Sequence, residues 1–344
     1  MSKNNERKNT ATSKAGERKK NAANKTNERR NAAISKDNER MDYADEMTIH
    51  WFPGHMTKAR RNIAEDIKLV DAVVELLDAR IPRSSANPDM DELTNSKPRL
   101  VILNRADLAD QSATKRWSEY FRAQGRGVIT TDCRQGKGVD RFQPAIRELL
   151  AELLAGRAER GQVGKPIRLM VAGIPNVGKS TFINRIAGRR ATTVSDRPGV
   201  TRGKQWINCG NGIELLDTPG ILWPKFEDKR TGENLAITGA VKDDVIDIEL
   251  LGTRLLLMLW ENYRDGLTER YKLKPDDEPD EEFPLELIAK RRGFLMSGAV
   301  PDTRRAAIML LDEFRGGKLG RITLEFPQQS QELPVRAEEQ QEDI

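Results

Sequence analysis

The segment IRLMVAGIPNVGKS, residues 167–180, constrains this chain more than any other part of it. Seven residues of strand character end in glycine, and a G-x-x-x-x-G-K-S loop then opens a helical pattern. A glycine-rich turn between a strand and a helix lets successive backbone N–H groups converge on one point, and the helix N-terminus adds positive potential there. Such a loop cradles a polyphosphate. The backbone of Asn176, Val177, Gly178, Lys179, Ser180 and Thr181 wraps the phosphates, Lys179 reaches the β and γ oxygens, and the Ser180 hydroxyl ligates Mg²⁺. The bland alternative, a chance glycine-rich turn, needs neither the strand before it nor the helix after it.

The surrounding pattern agrees. Apolar runs of strand type occur at 70–79 (VDAVVELLDA), 99–104 (RLVILN), 127–132 (GVITTD), 167–173 and 212–217 (GIELLD). Helical patterns separate several of them, at 113–125 and 139–155. Strands alternating with helices predict an α/β domain with a mostly parallel sheet covered on both faces. Residues 156–166, GRAERGQVGKP, read as a connector. Beyond Pro224 helical signals dominate, with Asp302 as an N-cap, and no strand pattern recurs until ITLEF at 322–326. The expected organisation is a basic disordered tail at 1–46, the α/β domain at 47–239, a small helical domain at 240–326 and an acidic disordered tail at 327–344.

Four further motifs fit a guanine nucleotide and its Mg²⁺. DTPG at 217–220 ends a strand 38 residues beyond Lys179. There Asp217 would hold Mg²⁺, through water, and the Gly220 N–H would sense the γ-phosphate. NRAD at 104–107 also ends a strand. The Asp107 carboxylate can accept from guanine N1–H and its exocyclic amine together, a pattern adenine does not offer. Asn104 would brace the neighbouring loops, Ala106 lies beside the base, and Arg105 stands where such sites usually have Lys. An ordinary helix-capping Asp is the alternative for Asp107. TTDCRQGKG at 130–138 then places Asp132 and Cys133 beside the base, through backbone groups. Between the phosphate loop and DTPG lies RPGVTRG at 197–203. Its Thr201 is the expected switch residue closing on Mg²⁺ and the γ-phosphate, with Thr192 and Thr193 as rivals.

The order of the motifs is unusual, because the guanine motif precedes the phosphate loop by about seventy residues. All of these loops leave one edge of the sheet, so joining the old termini through 156–166 and cutting after DTPG preserves the site. The chain then runs from DTPG straight into the helical domain, wiring γ-phosphate sensing to it. With WFPGHMTKARR at 51–61, LLDARIPRSSANP at 76–88, GIPNVGKSTFINR at 173–185, DRPGVT at 196–201 and LLDTPGILWPKFED at 215–228, residues 47 to about 326 resemble the circularly permuted GTPases of ribosome assembly, most closely the ribosome biogenesis GTPase A family. The resemblance implies a circularly permuted P-loop GTPase domain followed by a small helical domain. It also implies action on late precursors of the large ribosomal subunit, rRNA binding through the flanking regions, and hydrolysis stimulated by the particle. A GTPase acting on another RNA or a signalling partner, and an RNA-binding module that keeps GTP as a structural ligand, are the alternatives.

Ile221 follows DTPG where Ras-like enzymes carry the Gln that orients water. Two residues offer the missing polarity. Asn176 resembles the asparagine that in some GTPases helps hold K⁺ against the phosphates. His55 lies in WFPGH, and the resemblance implies a catalytic role for it beside Lys179 and Thr201; simple anchoring of the segment is the alternative. In the helical domain Lys290, Arg291, Arg292, Arg304, Arg305, Arg315, Lys318 and Arg321 are candidate contacts to RNA phosphates.

Charge bears on partners. The net charge is +5, yet residues 1–40 alone hold 12 Lys/Arg against 5 Asp/Glu. Glu-Arg recurs at 6–7, 17–18, 28–29 and 39–40, a period of 11 that keeps Arg7, Lys14, Arg18, Lys25, Arg29, Lys36 and Arg40 on one side of a helix. The expectation is a tail unfolded alone that adds affinity along an RNA backbone, against the plainer reading of a solubilising tail. Cys133 and Cys209 are far apart with no metal-ligand spacing, which excludes a disulfide scaffold and fits a reducing compartment. The basic N-terminus lacks the apolar core of a signal peptide. A cytoplasmic protein with no membrane or DNA partner is expected.

Overall fold

All seven residues of the run Ala72–Asp78 are buried, which a strand achieves at the centre of a sheet covered on both faces. The computed structural model, which describes residues 61, 63–94, 97–188, 205–218, 229–241 and 247–327, builds the sheet from that strand outward. Its strands are β1 (Ala72–Asp78), β2 (Arg99–Asn104), β3 (Gly127–Thr130), β4 (Ile167–Gly173), β5 (Gln205–Asn208) and β6 (Ile213–Asp217). They lie in the order β3-β2-β1-β4-β6-β5, and β5, which pairs with β6, is the antiparallel member. Side chains alternate between faces. Ala72, Val74 and Leu76 enter one core, while Leu77 joins Val101, Leu103, Trp117 and Phe121 in another.

Register decides what the sheet presents. Asp78 lies opposite Asn104, Leu76 opposite Gly173, Leu103 opposite Thr130 and Val171 opposite Asp217. The carboxyl ends of β1, β2, β3, β4 and β6 therefore finish along one edge, where open parallel sheets bind ligands.

The helices are α1 (Pro82–Ser85), α2 (Met90–Thr94), α3 (Gln111–Ala123), α4 (Phe142–Leu149), α5 (Ala151–Glu159), α6 (Lys179–Ile186), α7 (Lys229–Ile237), α8 (Ile248–Asn262), α9 (Arg264–Tyr271), α10 (Glu286–Arg292) and α11 (Thr303–Arg315). Aspartates open several of them by accepting an orphan N–H. Asp110 Oδ1 accepts from Ala113 N at 2.7 Å, and Asp302 Oδ1 from Arg305 N at 2.9 Å, as its position before an apolar-periodic run predicts. The stripe Leu251, Leu255 and Leu259 of α8 and the stripe Ala307, Leu310 and Phe314 of α11 share one buried core. No helix among the described residues is long and apolar enough to cross a membrane.

Three details differ from the sequence reading. The helix expected at 139–155 is a short 3-10 turn followed by α4 and α5, and α5 runs on to Glu159. The connector is thereby reduced to 160–166. Arg157 explains the extension, because its Nη2 donates to Asp71 Oδ1 at 2.5 Å, a tertiary contact that overrides the weak helix propensity of Gly156. Strand β5 gave no signal: it is four residues long, and its Trp206 stays 40% exposed. ITLEF joins no sheet. It is an extended strap whose Ile322 and Leu324 amides donate to Leu108 O at 2.9 Å and Arg80 O at 2.8 Å, so its alternating pattern is met by loops rather than by a strand edge.

Helices α8 and α11 touch most closely at Gly252, where an added Cβ would lie 2.6 Å from Ala307 Cβ and 2.9 Å from its Cα. Gly252→Ala gains about 1 kcal/mol of helix propensity. It also forces backbone and Cβ atoms apart, and neither can rotate away, at a cost of about 1–3 kcal/mol. Urea unfolding should show net destabilisation of Gly252→Ala, partly recovered in combination with Ala307→Gly.

Candidate functional site

The loop after β4 is shaped by close approaches that exclude side chains. Gly173 has φ +151°, and a Cβ there would lie 2.6 Å from Leu76 O. Gly178 has φ +104°, and a Cβ there would meet Asn104 Nδ2 at 2.5 Å. Asn176 also takes a left-handed conformation, with φ +58°. Lys179, the first residue of α6, folds back over the loop, and its Nζ donates to Gly173 O at 3.0 Å and Ile174 O at 2.8 Å. Val177 is buried, whereas Ser180 and Thr181 are partly exposed at the start of the helix.

Asn104 at the end of β2 joins this loop to the base-side loops. Its Nδ2 donates to Val177 O at 2.7 Å, and its Oδ1 accepts from Cys133 N and Thr131 Oγ1, each at 3.1 Å. Asn104 thereby links three segments of chain through one side chain. Ala106 N donates to Thr131 O at 3.1 Å, and Asp107 is partly exposed beside it. The turn after Asp132 is closed by its own carboxylate, with Oδ1 accepting from Gln135 N at 3.0 Å. Cys133 is buried, and burial pushes its thiol up to about 11, so it remains a neutral thiol at physiological pH.

Asp217 ends β6, 2% exposed, and its Oδ1 has no hydrogen-bond partner among the described residues. Burial raises its pKa and the Lys179 ammonium opposes that rise. A buried carboxylate oxygen left unsatisfied beside a helix start that carries a serine hydroxyl suits a small, hard divalent cation. His55, Thr201 and Gly220, with Thr192, Thr193 and Ile221, lie outside the described residues.

The geometry adds Arg185, Asp78 and Arg80, which motif reading missed, and gives Arg105 partners it did not foresee. Arg185 of α6 donates from Nε to Cys133 O at 3.2 Å and from Nη2 to Arg134 O at 2.6 Å, tying the phosphate-loop helix to the base side. Arg105 turns toward the phosphate loop, with Nη2 donating to Asn176 O at 2.5 Å and Nε 3.8 Å from Asp78 Oδ2. Asp78 is buried under a bidentate contact from Arg80, at 2.9 and 2.7 Å. Burial works against its charge, yet Arg80 and Arg105 outweigh it and hold the carboxyl below its usual range. The usable signal was its place, because Asp78 ends a strand in register with Asn104.

A parallel sheet carrying a phosphate loop after β4, an acidic residue at the neighbouring β6 end and NRAD at the β2 end defines a P-loop GTPase domain. Its base-reading half precedes the phosphate loop in the chain, so the domain is circularly permuted. Comparison with known proteins agrees. A family model described as 50S ribosome-binding GTPase matches residues 168–269. Ribosome biogenesis GTPase A of Bacillus cereus is 45% identical over 283 residues, covering 82% of this chain and 95% of that one. The Thermotoga maritima protein of the same name is 34% identical over 289 residues, covering 84% and 98%. A crystal structure of GNP-bound YlqF from T. maritima superposes with a TM-score of 0.53 at 30% identity, over 79% of this chain and 99% of that one. The chain belongs to the ribosome biogenesis GTPase A family. It binds GTP and hydrolyses it, and its field of action is ribosome assembly.

Burial pushes the Lys179 ammonium down to about 8 from 10.5, with Asp217 opposing. Between those values the unfolded chain binds more protons at this residue than the folded, nucleotide-free protein does, so stability climbs as pH rises through that window. Lys179→Met carries no charge to bury. Nucleotide-free Lys179→Met should be more stable than wild type at pH 7 in urea unfolding, with the gap narrowing as pH rises from about 8 toward 10.5. A gap that stays constant with pH would show that burying this charge costs nothing.

Proposed function

We propose that this GTPase acts on a late precursor of the large ribosomal subunit in the cytoplasm, binds its rRNA, and couples GTP hydrolysis to release. The observation that carries the reading is the distribution of cations beyond α7. Lys290, Arg304, Arg305, Lys318 and Arg321 are exposed, and five such charges supply the salt-dependent attraction that phosphate backbones exert. Of these, Lys290 pairs with Glu286 and Arg305 stacks over the Phe294 ring while both stay open to solvent. The other three candidates are half-buried and engaged within the protein. Arg291 pairs with Asp277, Arg292 lies 3.5 Å from Glu313, and Arg315 donates to the end of α7. The reading therefore narrows to five cations, joined by the basic segment 1–46, which lies outside the described residues.

At the nucleotide, the backbone of residues 176–181 wraps the phosphates and Lys179 releases its two carbonyl contacts to meet β and γ oxygens. Ser180 and Asp217 hold Mg²⁺, Asp217 through water, with Thr201 and the Gly220 N–H closing on the γ-phosphate. Mg²⁺ bound there neutralises phosphate charge during transfer. Asp107 reads the guanine edge, with Arg105, Ala106, Asp132 and Cys133 framing the base. Asn176 offers its amide oxygen to K⁺, and His55 orients the attacking water.

Two measurements test this. Wild-type protein should bind GTP far more tightly than ATP, since ATP leaves the Asp107 carboxylate unpaired, and Asp107→Asn should turn preference toward xanthosine triphosphate. Equal competition by ATP and GTP removes Asp107 from base recognition. Co-sedimentation with large-subunit precursors should be strong with a non-hydrolysable GTP analogue and weak with GDP. Changing the five exposed cations to Ala should weaken it and flatten its dependence on salt; unchanged binding and salt slope would overturn the rRNA reading.

A further inference from the structure

Helix α11 ends in two neighbouring residues, Phe314 and Arg315, that face different parts of the nucleotide site. Phe314 lies under Arg80, whose guanidinium carbon is 5.2 Å from the ring centre. Arg80 is fully buried and grips Asp78 with two hydrogen bonds. The Asp78 carboxylate is 3.8 Å from Arg105 Nε, and Arg105 Nη2 donates to the backbone carbonyl of Asn176. Arg315 takes another route. Its Nε donates to Ile237 O and its Nη2 to Ala236 O, each at 2.9 Å, so it caps the C-terminal carbonyls of α7. Ala236 O also accepts from Gly239 N at 3.0 Å, and Gly239 O in turn accepts from Asn176 Nδ2 at 2.8 Å.

Both routes close on one residue. Asn176 is held by its backbone carbonyl from the base side and by its side-chain amide from the α7 side. It takes a left-handed conformation, φ +58°, which asparagine tolerates better than other L-residues but which the loop must still hold against the commoner right-handed one. We infer that Phe314 and Arg315 are positioning residues for the phosphate loop, acting through Asn176 to keep it in the shape that receives a nucleotide. Neither touches the phosphates. Their effect is to lower the ordering that binding would otherwise demand of the loop. Helix α11 is about 20 Å long and carries exposed Arg304 and Arg305 in its first turn, so one rigid element runs from the outer surface to the residues that hold the phosphate loop.

The test is a double-mutant cycle read by GDP affinity, which needs neither hydrolysis nor a ribosomal particle and so stands apart from the proposals above. Arg315→Gln should weaken GDP binding roughly five- to tenfold, the scale of one ordinary hydrogen bond. In an Asn176→Ala background the same change should cost less than about twofold, because the route it acts through is already cut. Circular dichroism and urea unfolding establish that each variant is folded. Should Arg315→Gln fail to fold, Arg315→Lys, which keeps a donor and the charge, enters the same cycle with a smaller first effect and the same collapse in the second background. GDP affinity unchanged by the Arg315 substitution, or weakened equally in both backgrounds, overturns the inference.

Discussion

One side-chain amide holds the nucleotide site together. Asn104 donates to the phosphate loop at Val177 and accepts from the base-side segment at Thr131 and Cys133, so three pieces of chain from three strand ends meet on one group. Their convergence needs the strands in register, because Asn104 reaches Val177 only if β2 and β4 flank β1 and end level with it. It needs Gly178 as well, since a Cβ there would occupy the space of the Asn104 amide. An unpaired buried amide costs about 1–3 kcal/mol. Any rearrangement that separates the phosphate loop from the base loops must therefore strip several such bonds together.

This arrangement makes the permuted order workable. The site is built from contacts between strand ends, and none of its bonds depends on which end comes first in the chain. Residues 160–166 carry the chain from α5 to β4, and none of the bonds that Asn104 makes involves them. What the order does change is the neighbour of Asp217. The chain downstream of β6 leads to α7, and α7 ends against both Asn176 and Arg315.

How much of this was legible depended on the range of the interactions. Runs such as RLVILN and IRLMVAG declare buried parallel strands because both faces must be apolar, and the phosphate loop declares itself because glycines at 173 and 178 and a lysine at 179 are close in sequence. Asp302 was readable for the same reason, its partner being three residues away. The strap at 322–326 was not, because Thr323 and Glu325 find their partners sixty or more residues away. Thr323 Oγ1 accepts from Asp110 N, and the Glu325 carboxylate accepts from Arg83 N, Ser84 N and Asn234 Nδ2. Asp78 and Arg80 were visible only as part of a resembling string; their work depends on Arg105 and Phe314, which no local pattern links to them. Arg315 stood among the candidate RNA contacts because sequence gives charge without burial; it is half-buried and bonded to the end of α7.

The strap also bears on how such a protein can change over evolution. Trp117 donates its indole N–H to Glu325 O, and the Tyr263 hydroxyl both donates to Thr323 O and accepts from Thr323 N. Helix α3 of the sheet, the junction of α8 and α9 in the C-terminal group and the loop after β1 thus share a few residues at the end of the described chain. The C-terminal helices cannot be traded for another module at the boundary after α7 as a cassette is, because the last stitch of the graft would lie back on the sheet. New partners for this scaffold must come by repainting the outer faces of its helices, with the seam left as it is.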